Sequence, residues 1–161
     1  MSAIDLLESQ HREVEKLFQK IEKASKGEEK MRLFEEIADK LAIHAAIEEH
    51  HFYPAVKEKR TEDILLESVE EHLVIKRTIA DLLKLDVGDV QFDPKIKVLK
   101  EEVQHHVGEE ENDLFPKVKK IMSADELAAL EQEMVAEQDE LEEEGNPREN
   151  IPDETGEAAP L

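Results

Sequence analysis

Two stretches of this chain are near copies of each other, 62 positions apart, and each sets a histidine four residues before a glutamate. The first runs His44-Ala45-Ala46-Ile47-Glu48-Glu49-His50-His51-Phe52-Tyr53-Pro54. The second runs His106-Val107-Gly108-Glu109-Glu110-Glu111-Asn112-Asp113-Leu114-Phe115-Pro116. Four residues is just over one helical turn, so each His and its Glu stack on one helix face. A chain that does this twice presents four ligand-type side chains from two helices. His11 and His72 fall at matching depths in two further apolar-periodic segments. The arrangement that brings all six together is a bundle of four helices with polar groups facing inward.

The apolar period supports that arrangement. Segment one, about 3–24, carries Ile4, Leu7, Val14, Phe18 and Ile21, and His11 fills the one gap in the stripe. Ser2 or Asp5 is the expected N-cap, and Lys26-Gly27 the expected stop. Segment two, about 28–59, reads Phe34, Ile37, Leu41, His44, Glu48. Segment three follows Thr61 and reads Leu65, Val69, His72, Ile75, Ile79, Leu82, ending near Asp86–Asp89. Segment four opens at Asp93-Pro94 and reads Ile96, Leu99, Val103, His106, Glu110. Short connections predict an all-α, up-down-up-down four-helix bundle over residues 1–122. Ser123 and Glu126 form a capping-box pattern that opens an additional C-terminal amphipathic helix over 123–144, with Leu127, Leu130, Met134 and Leu141 on its stripe. Residues 145–161 read as a disordered acidic tail. Pro54 and Pro116 are expected to kink or end their helices in parallel ways.

Charge narrows the class of partner. The formal net charge is −21, which disfavours nucleic acid and anionic membrane surfaces. Much of the acidic excess lies in the last thirty residues, where a basic protein partner could dock. With no cysteine in the chain, thiolate metal sites and Fe–S clusters are excluded. The first residues show no basic leader and no long apolar run, so the expectation is a cytoplasmic protein.

Buried, unpaired carboxylates cost several kcal/mol or must hold a proton. Glu48 and Glu110 sit at stripe positions with no Arg or Lys expected on the stripe beside them. A cation removes that cost. The candidate metal ligands are therefore His11, His44, Glu48, His72, His106 and Glu110, a nitrogen and oxygen set suited to iron that leaves coordination positions open. His50 and His105 lie off the stripe and are expected in solvent, and His51 is an expected outer donor. Glu49, Glu109 and Glu111 are expected as surface charge, and Tyr53 as a packing residue. Leu41, Ile75, Ile79 and Val103 are expected to wall a dry pocket.

At these residues the chain resembles the hemerythrin-like family, the HHE cation-binding domain, over about residues 1 to 120. The resemblance rests on Gln10-His11, on the two His-x-x-x-Glu motifs with their aromatic-Pro endings, and on Glu71-His72. It implies a four-helix bundle around two non-haem Fe ions, an oxo- and carboxylate-bridged di-iron centre. It places His11, His44, His72 and His106 as terminal ligands and Glu48 and Glu110 as bridges. Oxygen-carrying members have a second His four residues after the first on helix three, where this chain has Lys76. They also have an Asp five residues after the helix-four His, where this chain has Glu110 at four. The site is thus one imidazole poorer than a carrier's. The implied role is binding of O2 or a related small diatomic ligand, for oxygen, iron or NO sensing, storage or handling. The alternative is a di-iron oxidoreductase for NO or peroxide, fed by a protein electron donor.

Overall fold

A computed structural model describes all 161 residues, and every regular element in it is helical. Helix α1 spans Ala3–Lys23, α2 Gly27–Ile47, α3 Tyr53–Val56, α4 Glu62–Leu83, α5 Phe92–Glu109, α6 Phe115–Ile121 and α7 Ala124–Glu144. Together α1, α2, α4 and α5 form the up-down-up-down four-helix bundle, and α7 packs against α1 and α2.

Side-chain capping sets the start of two helices. The Ser2 hydroxyl accepts from the Asp5 amide while the Asp5 carboxylate accepts from Ser2, a complete capping box at α1. Ser123 and Glu126 repeat it at α7. Gly27 does not stop α1. That helix ends at an extended Ala24, and Gly27 becomes the first residue of α2.

Neither Pro54 nor Pro116 ends its helix outright. A π-helical turn over Glu48–Phe52 joins α2 to α3, and another over Glu110–Leu114 joins α5 to α6. Proline lacks an N–H and its ring crowds the carbonyl four residues back. Widening the preceding turn by one residue relieves both, and the Tyr53 and Phe115 amides bond five residues back to the Glu48 and Glu110 carbonyls. Both π turns begin at the inward glutamates.

Two apolar clusters form the core. One holds Ile4, Leu7, Ile47, Phe52, Leu65, Phe115 and Met134, the other Phe18, Phe34, Ile37, Ile79, Phe92 and Leu99. The interrupting histidines of the four stripes meet between them.

The expected disordered tail is instead folded back on the bundle. Gly145 (φ 80°) and Asn146 (φ 50°) take left-handed backbone conformations that these residue types tolerate, and they reverse the chain after α7. Residues Pro147–Glu154 then form a 3-10 helix laid against α2 and α4. Its one large apolar side chain, Ile151, is buried in the second cluster, and Arg148 pairs with Asp39 and Glu35. Composition signalled disorder because a single buried isoleucine and a few ion pairs leave almost no trace in hydropathy.

Candidate metal centre

Each helix of the bundle delivers one buried imidazole: His11 from α1, His44 from α2, His72 from α4 and His106 from α5. The π turns deliver Glu48 and Glu110, both about fully buried at 0% and 1% exposure. All six side chains converge. They resolve into two neighbouring triads, His11, His44 and Glu110 on one side and Glu48, His72 and His106 on the other. The carboxylates lie between them. Glu110 Oε1 is 3.2 Å from His11 Nε2 and 3.4 Å from His106 Nε2, and Glu48 Oε1 is 3.1 Å from both His44 and His72 Nε2.

The outer edge of each ring is equally ordered. His11 Nδ1 meets Glu111 at 2.7 Å, His44 Nδ1 meets Gln10 at 2.6 Å, His72 Nδ1 meets Glu49 at 2.7 Å and His106 Nδ1 meets Glu71 at 2.8 Å. An oxygen acceptor at Nδ1 fixes the proton there and turns the Nε2 lone pair inward, the usual way a protein orients imidazole ligands. Four of the buried polar atoms without a hydrogen-bond partner belong to this centre: His11 Nε2, His44 Nε2, Glu48 Oε2 and Glu110 Oε1. Unsatisfied buried polar atoms are rare and costly, and here they cluster at one point. The donor set, its orientation and its unmet atoms fit a cation, and they fit nitrogen- and oxygen-seeking iron.

The electrostatics express the same demand. Burial opposes charge on His44, but Glu48 and Glu110 outweigh it and raise its pKa to about 9. Burial likewise opposes charge on His106, yet Glu110, Glu48 and Glu71 hold it well above the ordinary imidazole range. Burial pushes the Glu48 carboxyl up, and His44 with its neighbours pulls it well below the usual carboxylate range. The carboxylates draw positive charge onto whatever sits beside them.

Several expectations need correction here. Glu49 is 6% exposed rather than solvated, held between His72 Nδ1 and the Lys76 ammonium at 2.9 Å. Lys76 is itself buried, so one lysine does lie near the site, but it serves Glu49 and leaves Glu48 and Glu110 without a Lys or Arg partner. Glu111 is half-turned inward and shared between His11 and Arg12. Tyr53 packs in the apolar cluster as expected but also reaches the centre: its hydroxyl donates to Glu110 Oε2 at 2.8 Å and lies 3.2 Å from His72 Nε2. Burial, with Glu110 and Glu48 nearby, keeps that phenol firmly protonated. His51 faces α7 instead of the centre, bonding Glu137 at 2.8 Å, and His50 reaches the same carboxylate from a largely exposed position. His105 is exposed beside Glu71 and Glu109. The repeat held one usable signal for the missed braces. Glu49 and Glu111 occupy the same place in the two motifs, directly after the inward Glu.

A partly enclosed space of about 40 Å³ adjoins the centre, enough for one or a few water-sized molecules. Leu41, Ile75, Ile79 and Val103 line it as expected, together with His11, His44, His72 and His106.

The Hemerythrin HHE cation binding domain matches residues 2–118. The chain belongs to this family. A crystal structure of a Hemerythrin HHE cation binding domain-containing protein from Mycobacterium kansasii superposes with a TM-score of 0.79 at 26% identity, covering 89% of each chain. A curated protein of Nostoc sp. (strain PCC 7120) called a DNA nickase is 25% identical over 126 residues, which is 78% of this chain and 36% of that protein. This chain thus spans little over a third of that relative's length. No helix of the chain is long and apolar enough to cross a membrane.

Proposed function

We propose that this HHE domain holds two non-haem irons, with His11, His44, His72 and His106 as terminal ligands and Glu48 and Glu110 as bridges, and that it binds O2 or a related diatomic ligand to sense, store or handle oxygen, iron or NO. The observation that carries the reading is the common orientation of the four imidazoles. Every Nδ1 is engaged outward by an oxygen and every Nε2 faces one of two carboxylates. Two triads joined through two carboxylates suit two cations better than one.

Iron bound there would supply one-electron chemistry and open coordination positions. The chain's own residues do the rest. The outer oxygens fix the rings, the apolar wall limits water, and the Tyr53 hydroxyl offers a hydrogen bond at the edge of the centre. The nickase activity named for the Nostoc relative is not carried over, because a net charge of −21 disfavours the phosphate contacts that DNA docking requires.

Iron loading without oxygen, followed by metal analysis and an absorption spectrum before and after air, tests the proposal. Two irons per chain and near-ultraviolet absorption of an oxo-bridged diferric centre are expected. One metal per chain, or none, ends the dinuclear reading.

A further inference from the structure

The family match ends at residue 118, yet the space beside the centre is walled in part by a segment well beyond it. Ile151 and Glu154 of the 3-10 helix Pro147–Glu154 line that space together with His72 and His106. Ile151 is 2% exposed and completes the apolar wall with Leu41, Ile75 and Ile79. The segment lies across α2 and α4 and is fastened to both. On α2, Asp39 accepts from the Arg148 amide at 3.0 Å and from its guanidinium at 2.9 Å, with Glu35 at 2.6 Å. On α4, the Arg77 guanidinium donates to the carbonyls of Thr155 at 3.0 Å and Gly156 at 3.2 Å. Lys76 bridges Glu154 at 3.0 Å to Glu49, and Glu49 holds His72.

From this geometry we infer that residues 147–156 are a strap that controls which molecules reach the centre, with Ile151 as the residue that sets their size. The inference rests on the reading of the centre as a small-ligand site. Its parts are asymmetric in a way that suits the task. The inner face is the branched apolar side chain of Ile151, which excludes bulky solutes, with the Glu154 carboxylate beside it paired to Lys76. The fastenings are ion pairs and carbonyl contacts at the solvent edge, the kind of local structure that opens without unfolding the bundle. Lys76 ties the strap to the brace of His72.

The chain supplies its own probe. Tyr53 is its single tyrosine and there is no tryptophan, so intrinsic fluorescence reports from the centre alone. Two variants separate the strap from the wall. Arg77→Ala with Arg148→Ala unfastens the strap without touching a residue that lines the space, and Ile151→Ala widens the space while leaving the fastenings intact. In the metal-free protein, dissolved O2 is expected to quench Tyr53 in all forms, whereas acrylamide quenches wild type weakly and both variants strongly. In the iron-loaded protein, azide association is expected to quicken about tenfold in both variants, the scale of converting a closed local state to an open one, with iron content unchanged. Hydrogen exchange across 147–156 reports whether the strap has been released. Unchanged acrylamide quenching and unchanged azide rates in both variants overturn the inference. If the protein takes up no iron, the proposed function fails by itself, and the quenching arm still decides the strap.

Discussion

The two copies of the motif begin alike and end differently, and the difference marks which parts of the centre are shared and which belong to one side. Positions His44 and His106, Glu48 and Glu110, and Glu49 and Glu111 correspond, and each trio does the same work. A helix brings in an imidazole, the first Glu enters the centre, and the second braces a histidine from another helix, His72 in one case and His11 in the other. The copies then part. Tyr53 sends a hydroxyl to Glu110 Oε2, while Phe115 lies parallel to His11 with ring centroids 6.0 Å apart. The bracing glutamates differ too: Glu49 is buried against Lys76, and Glu111 is only partly buried and shared with the exposed Arg12. One side of the centre is thus polar, buried and wired to the strap, and the other is aromatic and nearer to solvent.

The largest effects should fall where the copies agree. Glu48→Ala and Glu110→Ala each remove a carboxylate that meets histidines of both triads, so each variant is expected to lose most of its iron by metal analysis. Glu109→Ala, one residue away at a partly exposed position, should keep two irons. Metal removal should act in the same direction on stability. The centre exists only in the folded chain, so binding free energy adds to folding free energy, and the chelated protein is expected to melt well below the iron form in calorimetry. Equal melting temperatures would mean that the six side chains satisfy one another without a cation.

The braces come next, and here the copies should diverge. Glu49→Ala leaves the Lys76 ammonium in a largely buried position with only Glu154 to pair with, and breaking a buried pair costs about 3–5 kcal/mol. Glu111→Ala removes a hydrogen bond at a position open to water, and a loss nearer about 1 kcal/mol is expected by denaturant unfolding. Both should lower iron affinity about 10- to 100-fold, because each frees an imidazole to turn. A stability cost that is the same for both would show that burial of the Glu49–Lys76 pair carries no weight.

These contrasts also show what the sequence could and could not convey. The four stripes fixed the bundle because a period of 3.6 with one polar interruption per helix has few other solutions. The six inward residues stood out for the same reason, since each occupies an apolar register. Gln10 and Glu71 entered only through the family resemblance, and Glu49 and Glu111 did not stand out as braces. Gln10, Glu49, Glu71 and Glu111 all come from positions next to an inward residue, where a regular helix would direct a side chain away. The π turns move Glu49 and Glu111 inward, and no hydropathy pattern encodes a one-residue widening, although the paired prolines at 54 and 116 are its cause. The strap was invisible for a different reason. Its attachment depends on Arg148 meeting Asp39 and on Arg77 meeting two carbonyls, contacts between segments more than seventy residues apart.

The smallest expected effect on iron binding tests the point at which the motifs part. Tyr53→Phe makes the first copy match the second and removes the hydroxyl that Glu110 Oε2 accepts from. In the metal-free protein this leaves a buried carboxylate oxygen short of a donor, and a loss of about 1–3 kcal/mol is expected. With iron bound, the cation compensates the same oxygen, so the loss should shrink and iron content should stay at two. Thermal melts of Tyr53→Phe with and without iron measure both numbers. The reverse change, Phe115→Tyr, should not behave as a mirror image. Phe115 is packed between Phe52 and His11 inside the apolar cluster, and a hydroxyl there would itself need a partner. If Tyr53→Phe instead sheds iron, the phenol oxygen is part of the metal's coordination, and the two copies differ in ligands as well as in packing.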